Sequence, residues 1–181
     1  MIAMTIRAPG RRIARPSSFW SDRNGTSDIF RQAIDQDSAE PVATGPEIKR
    51  WPVVSPDGSW ILYISSIAQS GPARIMRVPM VGGPSEVVVE DRDIGQLACT
   101  QTPSSKCVFS VTTPEEKQVV WSAFDAVRGR GRELARVDLN QPSFCWALSP
   151  DGSRLALRSV TTMRTASNSS PWRAENLASL R

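Results

Sequence analysis

The stretch "SPDGSWILY", residues 55–63, returns as "SPDGSRLAL" at residues 149–157. In each copy Pro56 or Pro150 presets φ near −65° at the first central position of a turn. Asp57 or Asp151 suits the second and bonds back to the backbone. Gly58 or Gly152 accepts the left-handed conformation that opens the next strand. The apolar run behind each turn then reads as a strand pairing antiparallel with the one before it.

Between the two copies lies Pro103, in "TPSSKCVFSV", at equal spacing from Pro56 and Pro150. That register aligns Ser55, Thr102 and Ser149, sets Lys106 beside Ser59 and Ser153, and matches Ile61, Val108 and Leu155. Ser104 and Ser105 replace Asp and Gly there, so a turn of another type is expected. One step further back, Pro9 in "APGRRIAR" is the same turn without its Asp. Each unit then runs through four strands. In the second unit they are "RWPVV", "WILYIS", "ARIMRVPM" and "SEVVVE", with Gly-rich or polar breaks between them. No segment holds a 3.6-residue apolar period. A period of about 47 residues with four strands per unit is the signature of a β-propeller blade. One blade has two apolar faces and buries them only against neighbours, which is why the motif recurs.

The quoted stretches, with "FWSDRNGTSDIFRQAID" and "TGPEIKRWPVVSPDG", resemble the TolB-like, WD-repeat-like β-propeller repeats of bacteria. Ser21, Arg23, Gly25, Asp28, Ile29 and Phe30 match the family's S-x-R-x-G and D-I-[YF] elements. The resemblance implies an all-β, partial β-propeller of about three and a half to four four-stranded antiparallel blades. The expected divisions are an extension over 1–8, blades over about 9–48, 49–95, 96–142 and 143–160, and an irregular or disordered tail over 161–181. A fragment of a longer propeller is the expected status. The pattern looks most like propeller regions attached to bacterial serine/threonine kinases or winged-helix regulators, where such a domain acts in sensing or interaction.

Composition narrows the chemistry. The chain has 181 residues, a net charge of +4 and no histidine, so it can supply no Ser-His-Asp triad, Cys-His pair or histidine metal ligand. Ser65, Ser66, Ser110 and Ser122 lack an activating base, and no G-x-S-x-G occurs. Glu115 and Glu116 read as a solvated loop rather than a catalytic pair. Asp57 and Asp151 read as turn residues rather than calcium ligands. Trp51, Trp60, Trp121 and Trp146 fall on strands as packing residues, while Trp20 and Arg23 lie at a strand end. The basic run Arg128 to Arg136 has no interleaved aromatics and reads as a solvated loop or edge strand. Cys99 and Cys107 flank a short segment; both a cross-hairpin disulfide and two buried thiols fit, and Cys145 stands apart.

These readings lead to a non-catalytic interaction or sensing module with no catalytic, cofactor or metal site. A protein partner or self-association through exposed terminal blades is expected, with no nucleic acid and no membrane span. The alternatives are the propeller gate of a prolyl-oligopeptidase-type peptidase and a TolB-like periplasmic envelope protein. The chain shows no signal peptide, and a periplasmic location would follow from an exported parent.

Overall fold

The computed structural model describes residues 17–68, 71–101, 105–113, 117–138, 144–159 and 176–179. The readings at Pro9, Thr102, Pro103, Ser104, Glu115 and Glu116 lie outside the described residues. All regular elements are strands, and they form four antiparallel meanders in chain order. The first sheet holds β1 (Ser17–Ser21), β2 (Asp28–Gln32) and β3 (Glu40–Ala43). The second holds β4 (Ile48–Val54), β5 (Trp60–Ser66), β6 (Pro72–Pro79) and β7 (Glu86–Arg92). The third holds β8 (Ile94–Cys99), β9 (Cys107–Thr113), β10 (Gln118–Asp125) and β11 (Gly129–Asp138). The fourth holds β12 (Phe144–Leu148), β13 (Arg154–Ser159) and β14 (Asn176–Ser179). The stretch expected to be irregular thus contributes β14, which pairs with β13 from Arg154↔Ser179 to Leu157↔Asn176.

The sheets lie face to face in succession, and three apolar layers hold them together. Ile29 and Ala43 of the first sheet meet Ile61, Tyr63 and Val78 of the second. Leu62, Ile64 and Ile75 of the second meet Leu97, Phe109 and Phe124 of the third. Val108, Val119 and Trp121 of the third meet Trp146 and Leu155 of the fourth. Strand alternation explains the sorting: Ile61 and Tyr63 face one neighbour, Leu62 and Ile64 the other. Each fully buried aliphatic side chain contributes about 1.5–3 kcal/mol through water exclusion. A sheet buried on both faces needs a continuous apolar run, which is what "WILYIS" supplies.

The S-P-D-G turns form as the sequence predicts. Gly58 and Gly152 donate to the carbonyls of Ser55 and Ser149 at 2.9 and 2.8 Å, and both glycines have positive φ, 78° and 66°. The serines add a part that turn preference alone does not reveal. Ser55 Oγ donates to Asp57 Oδ1 at 2.5 Å and accepts from the Trp60 N–H at 3.0 Å. Ser149 repeats this with Asp151 at 2.6 Å and the Arg154 N–H at 2.9 Å.

The third sheet corrects the expected register. Thr100, not Thr102, takes the position of Ser55 and Ser149: its N–H reaches the Lys106 carbonyl at 2.8 Å, and its Oγ1 accepts the Lys106 N–H at 2.9 Å. The loop is therefore one residue longer than its two counterparts. Lys106 matches Trp60 and Arg154, and Cys107, not Val108, matches Ile61 and Leu155. Equal Pro spacing misled because the extra residue sits inside the turn.

Candidate binding cleft

The second, third and fourth sheets each turn their first strand, β4, β8 and β12, toward a common axis. In the first sheet β1 takes that place, although its partners β2 and β3 match the outer strands of the second sheet. The four strands enclose a cleft of about 700 Å³. Its walls are largely apolar, with Phe19, Val53, Leu97 and Leu148 among the lining residues.

Trp20 and Trp51 line this cleft while remaining 41% and 39% exposed. Trp51 interrupts the β4–β5 ladder between Arg50 and Val53 and has φ 56°. A bulky residue in the left-handed region is strained, and such strain gathers at binding sites. Ser18, Asp22, Ser27, Arg50 and Gln96 are the polar residues of its lining. Burial draws Arg50 below the usual guanidinium value, and it stays a cation at neutral pH. Gln96 Nε2 donates to the Trp146 carbonyl at 3.0 Å, tying β8 to β12.

Trp60, Trp121 and Trp146 pack as expected. Trp121 and Trp146 are buried and meet edge to face, their centroids 6.4 Å apart. The Trp146 indole donates to Ser110 Oγ at 3.0 Å, which accounts for that buried serine. Trp60 lies under the Arg77 guanidinium at 4.5 Å. Arg23 turns back over Phe30 and Phe19, at 4.5 and 5.3 Å, rather than reaching into the cleft. Trp51 departs from the packing reading, because it is left 39% exposed along the cleft.

The other candidates are spread through the frame. Ser65 donates to Glu47, while Ser66 and Ser122 are buried within strands. Asp57 and Asp151 serve their own turns, and no group of three His, Cys, Asp or Glu able to hold a metal occurs among the described residues. The arginine run begins in the turn at Arg128 and continues along β11, an edge strand: Arg128 pairs with Asp125, Arg130 with Asp91 and Arg136 with Glu133. Cys99 and Cys107 are cross-strand partners with Cα atoms 4.1 Å apart and are joined as a disulfide. Cys145 is free and exposed. No helix among the described residues is long and apolar enough to cross a membrane.

The radial succession of sheets is shared with solved propellers. TolB from Acinetobacter baumannii is 18% identical, with a TM-score of 0.61 over 82% of this chain and 36% of that one. The fold is a partial, TolB-like β-propeller. The β-propeller domain of the Trilobed protease from Pyrococcus furiosus, described as having an open velcro topology, is 11% identical. It matches with a TM-score of 0.55 over 84% of this chain and 47% of that one. An uncharacterized protein of Listeria monocytogenes is 16% identical, with a TM-score of 0.52 over 92% and 51%. The chain thus spans about a third to a half of these proteins' lengths. At these identities the likeness concerns the fold alone. No family model and no curated protein matches the chain. Among the described residues, no hydrogen-bonded strand joins the first blade to the fourth.

Proposed function

We propose that the chain is a non-catalytic interaction module of a regulatory propeller, which holds a protein segment in the axial cleft. The observation that supports this reading most directly is Trp51. It combines a strained, left-handed backbone with partial exposure along the cleft, and it belongs to none of the buried layers. Exposed aromatics beside apolar walls and a partly desolvated arginine suit an extended peptide with apolar side chains. The chain has no histidine to activate a nucleophile. The faces of the first and fourth blades that point away from the stack offer a second contact, through which copies associate.

The test is selection from a displayed library of random peptides, followed by titration of the selected peptides against the chain. Peptides that bind without cleavage, and lose about tenfold or more in affinity to Trp51→Ala or Trp20→Ala, are expected. Cleavage of bound peptides, or binding indifferent to both substitutions, would defeat the reading.

A further inference from the structure

Blade three lacks the turn chemistry that closes the equivalent hairpins of blades two and four. Those hairpins are fastened by Asp57 or Asp151 and by a left-handed glycine. In blade three the loop is one residue longer, and the left-handed position is Ser105, at φ 47°. A disulfide stands instead at the pair that brackets this loop. Cys99↔Cys107 is the structural counterpart of Val54↔Ile61 and Leu148↔Leu155.

The two cysteines differ in exposure. Cys107 is 3% exposed and belongs to the layer between blades two and three. Cys99 is half-buried and lines the axial cleft. The hairpin they close also reaches the next blade, where Lys106 Nζ donates to the Gly152 carbonyl at 3.2 Å.

We propose that Cys99 is a thiol–disulfide exchange site reached from the cleft, and that its redox state sets the order of the blade-three hairpin. The co-reactant is a small thiol or dithiol. Its thiolate attacks Cys99 Sγ, a mixed disulfide forms there, and the Cys99–Cys107 bond breaks. Cys107 leaves as a thiolate and takes up a proton. A second reductant thiolate then displaces Cys99, which is protonated in turn. The chain gains two thiols and the reductant becomes a disulfide, a transfer of two electrons and two protons. In the reduced hairpin the Thr100–Lys106 hydrogen bonds and the β8–β9 ladder remain but the covalent tie is gone, so its end opens more often.

The experiment uses the full chain carrying Cys145→Ser, which removes the exposed thiol. Brief exposure to glutathione, acid quenching and peptide mapping should place the adduct on Cys99. Full reduction with dithiothreitol should speed amide hydrogen exchange at Lys106 by about tenfold or more. The equivalent amides of Trp60 and Arg154 should not respond. The Cys99→Ser, Cys107→Ser double variant should exchange at the fast rate with or without reductant. An adduct on Cys107, three free thiols in the aerobically purified natural chain, or a Lys106 amide indifferent to reduction would overturn the proposal.

Discussion

Arg31 on β2 and Arg77 on β6 make the same clamp in consecutive blades. Each pairs with the glutamate opposite it on the next strand, Arg31 Nη2 with Glu40 at 2.9 Å and Arg77 Nε with Glu86 at 2.9 Å. Each then reaches a carbonyl in the turn of the following blade: Arg31 Nη1 to Met80, and Arg77 Nη1 to Ala126 at 2.8 Å. The sequence separations are identical, 9 residues to the glutamate and 49 to the carbonyl. The planar guanidinium makes this possible, since one fork faces the carboxylate while the remaining donor points across the gap. In blade three the matching residue is Ala123, opposite Val108 as Arg77 is opposite Leu62. The Trp121–Trp146 contact holds that interface instead.

Arg77→Ala should therefore cost about 1–3 kcal/mol, for the charged hydrogen bond to Ala126 and the cover over Trp60. Arg31→Ala should cost less, because among the described residues no aromatic ring lies beneath Arg31 in the same way. Arg77→Lys should recover little, since an ammonium cannot serve both partners from one plane. Urea denaturation of the three variants measures the order, and full rescue by lysine would contradict the clamp.

The Asp28–Lys49 pair joins blades one and two at 3.3 Å, with side chains only 3% and 4% exposed. Lys49 Nζ also donates to the Gly45 and Glu47 carbonyls, both at 2.9 Å. A buried charge left alone is costly, so Lys49→Met or Asp28→Leu by itself should lose about 3–5 kcal/mol. The double variant should lose clearly less than the two single losses added, because each removes the other's unpaired charge. Strict additivity in the double-mutant cycle would show that the ion pair is not what couples these blades.

The order of blades was legible because S-P-D-G and its following strand are local signals, repeated with little change. Pro spacing misplaces the third blade by two residues before its turn and one after it, because the turn lacks Asp and Gly and is one residue longer. The Thr100 hydrogen bonds and the Cys99↔Cys107 register reveal the true equivalence. The clamp arginines passed unnoticed, since arginine is common here and its partners lie on two other strands. The arginine–glutamate spacing in "DIFRQAIDQDSAE" and "MRVPMVGGPSE" was the available signal. Strand membership predicts burial for Trp51, whereas its φ depends on the register break beside it. The cleft itself depends on which strand of each sheet faces the axis, and no single blade encodes that.

Acid should weaken the fold partly through the turns. Asp57 is held below its usual value of 3.8, chiefly by the Ser55 hydroxyl. Asp151 is held lower still, chiefly by Ser149. A carboxyl whose value falls on folding contributes stability that is complete above its unfolded value and is lost as pH drops through the folded one. Urea midpoints should therefore be flat on this account near neutrality and decline below about pH 4. Both groups are solvent-exposed, so the effect should be modest. The Ser55→Ala, Ser149→Ala variant should show a shallower acid-side decline, and an unchanged one would remove the turns from the explanation.

Trp51 offers the sharpest separation of stability from binding. If its left-handed backbone is kept for the sake of the indole, a residue at ease in that conformation should relieve the strain. Asparagine is such a residue. Trp51→Asn gives up some apolar contact, but the ring is 39% exposed and that loss is partial. The two terms offset, so stability should stay within about 1 kcal/mol of the parent or rise slightly. Affinity for cleft-selected peptides should fall about as far as it does in Trp51→Ala. Thermal denaturation and peptide titration on one preparation give both quantities. A loss of several kcal/mol in Trp51→Asn, of the size expected for a buried core tryptophan, would mean that the indole is a packing residue after all.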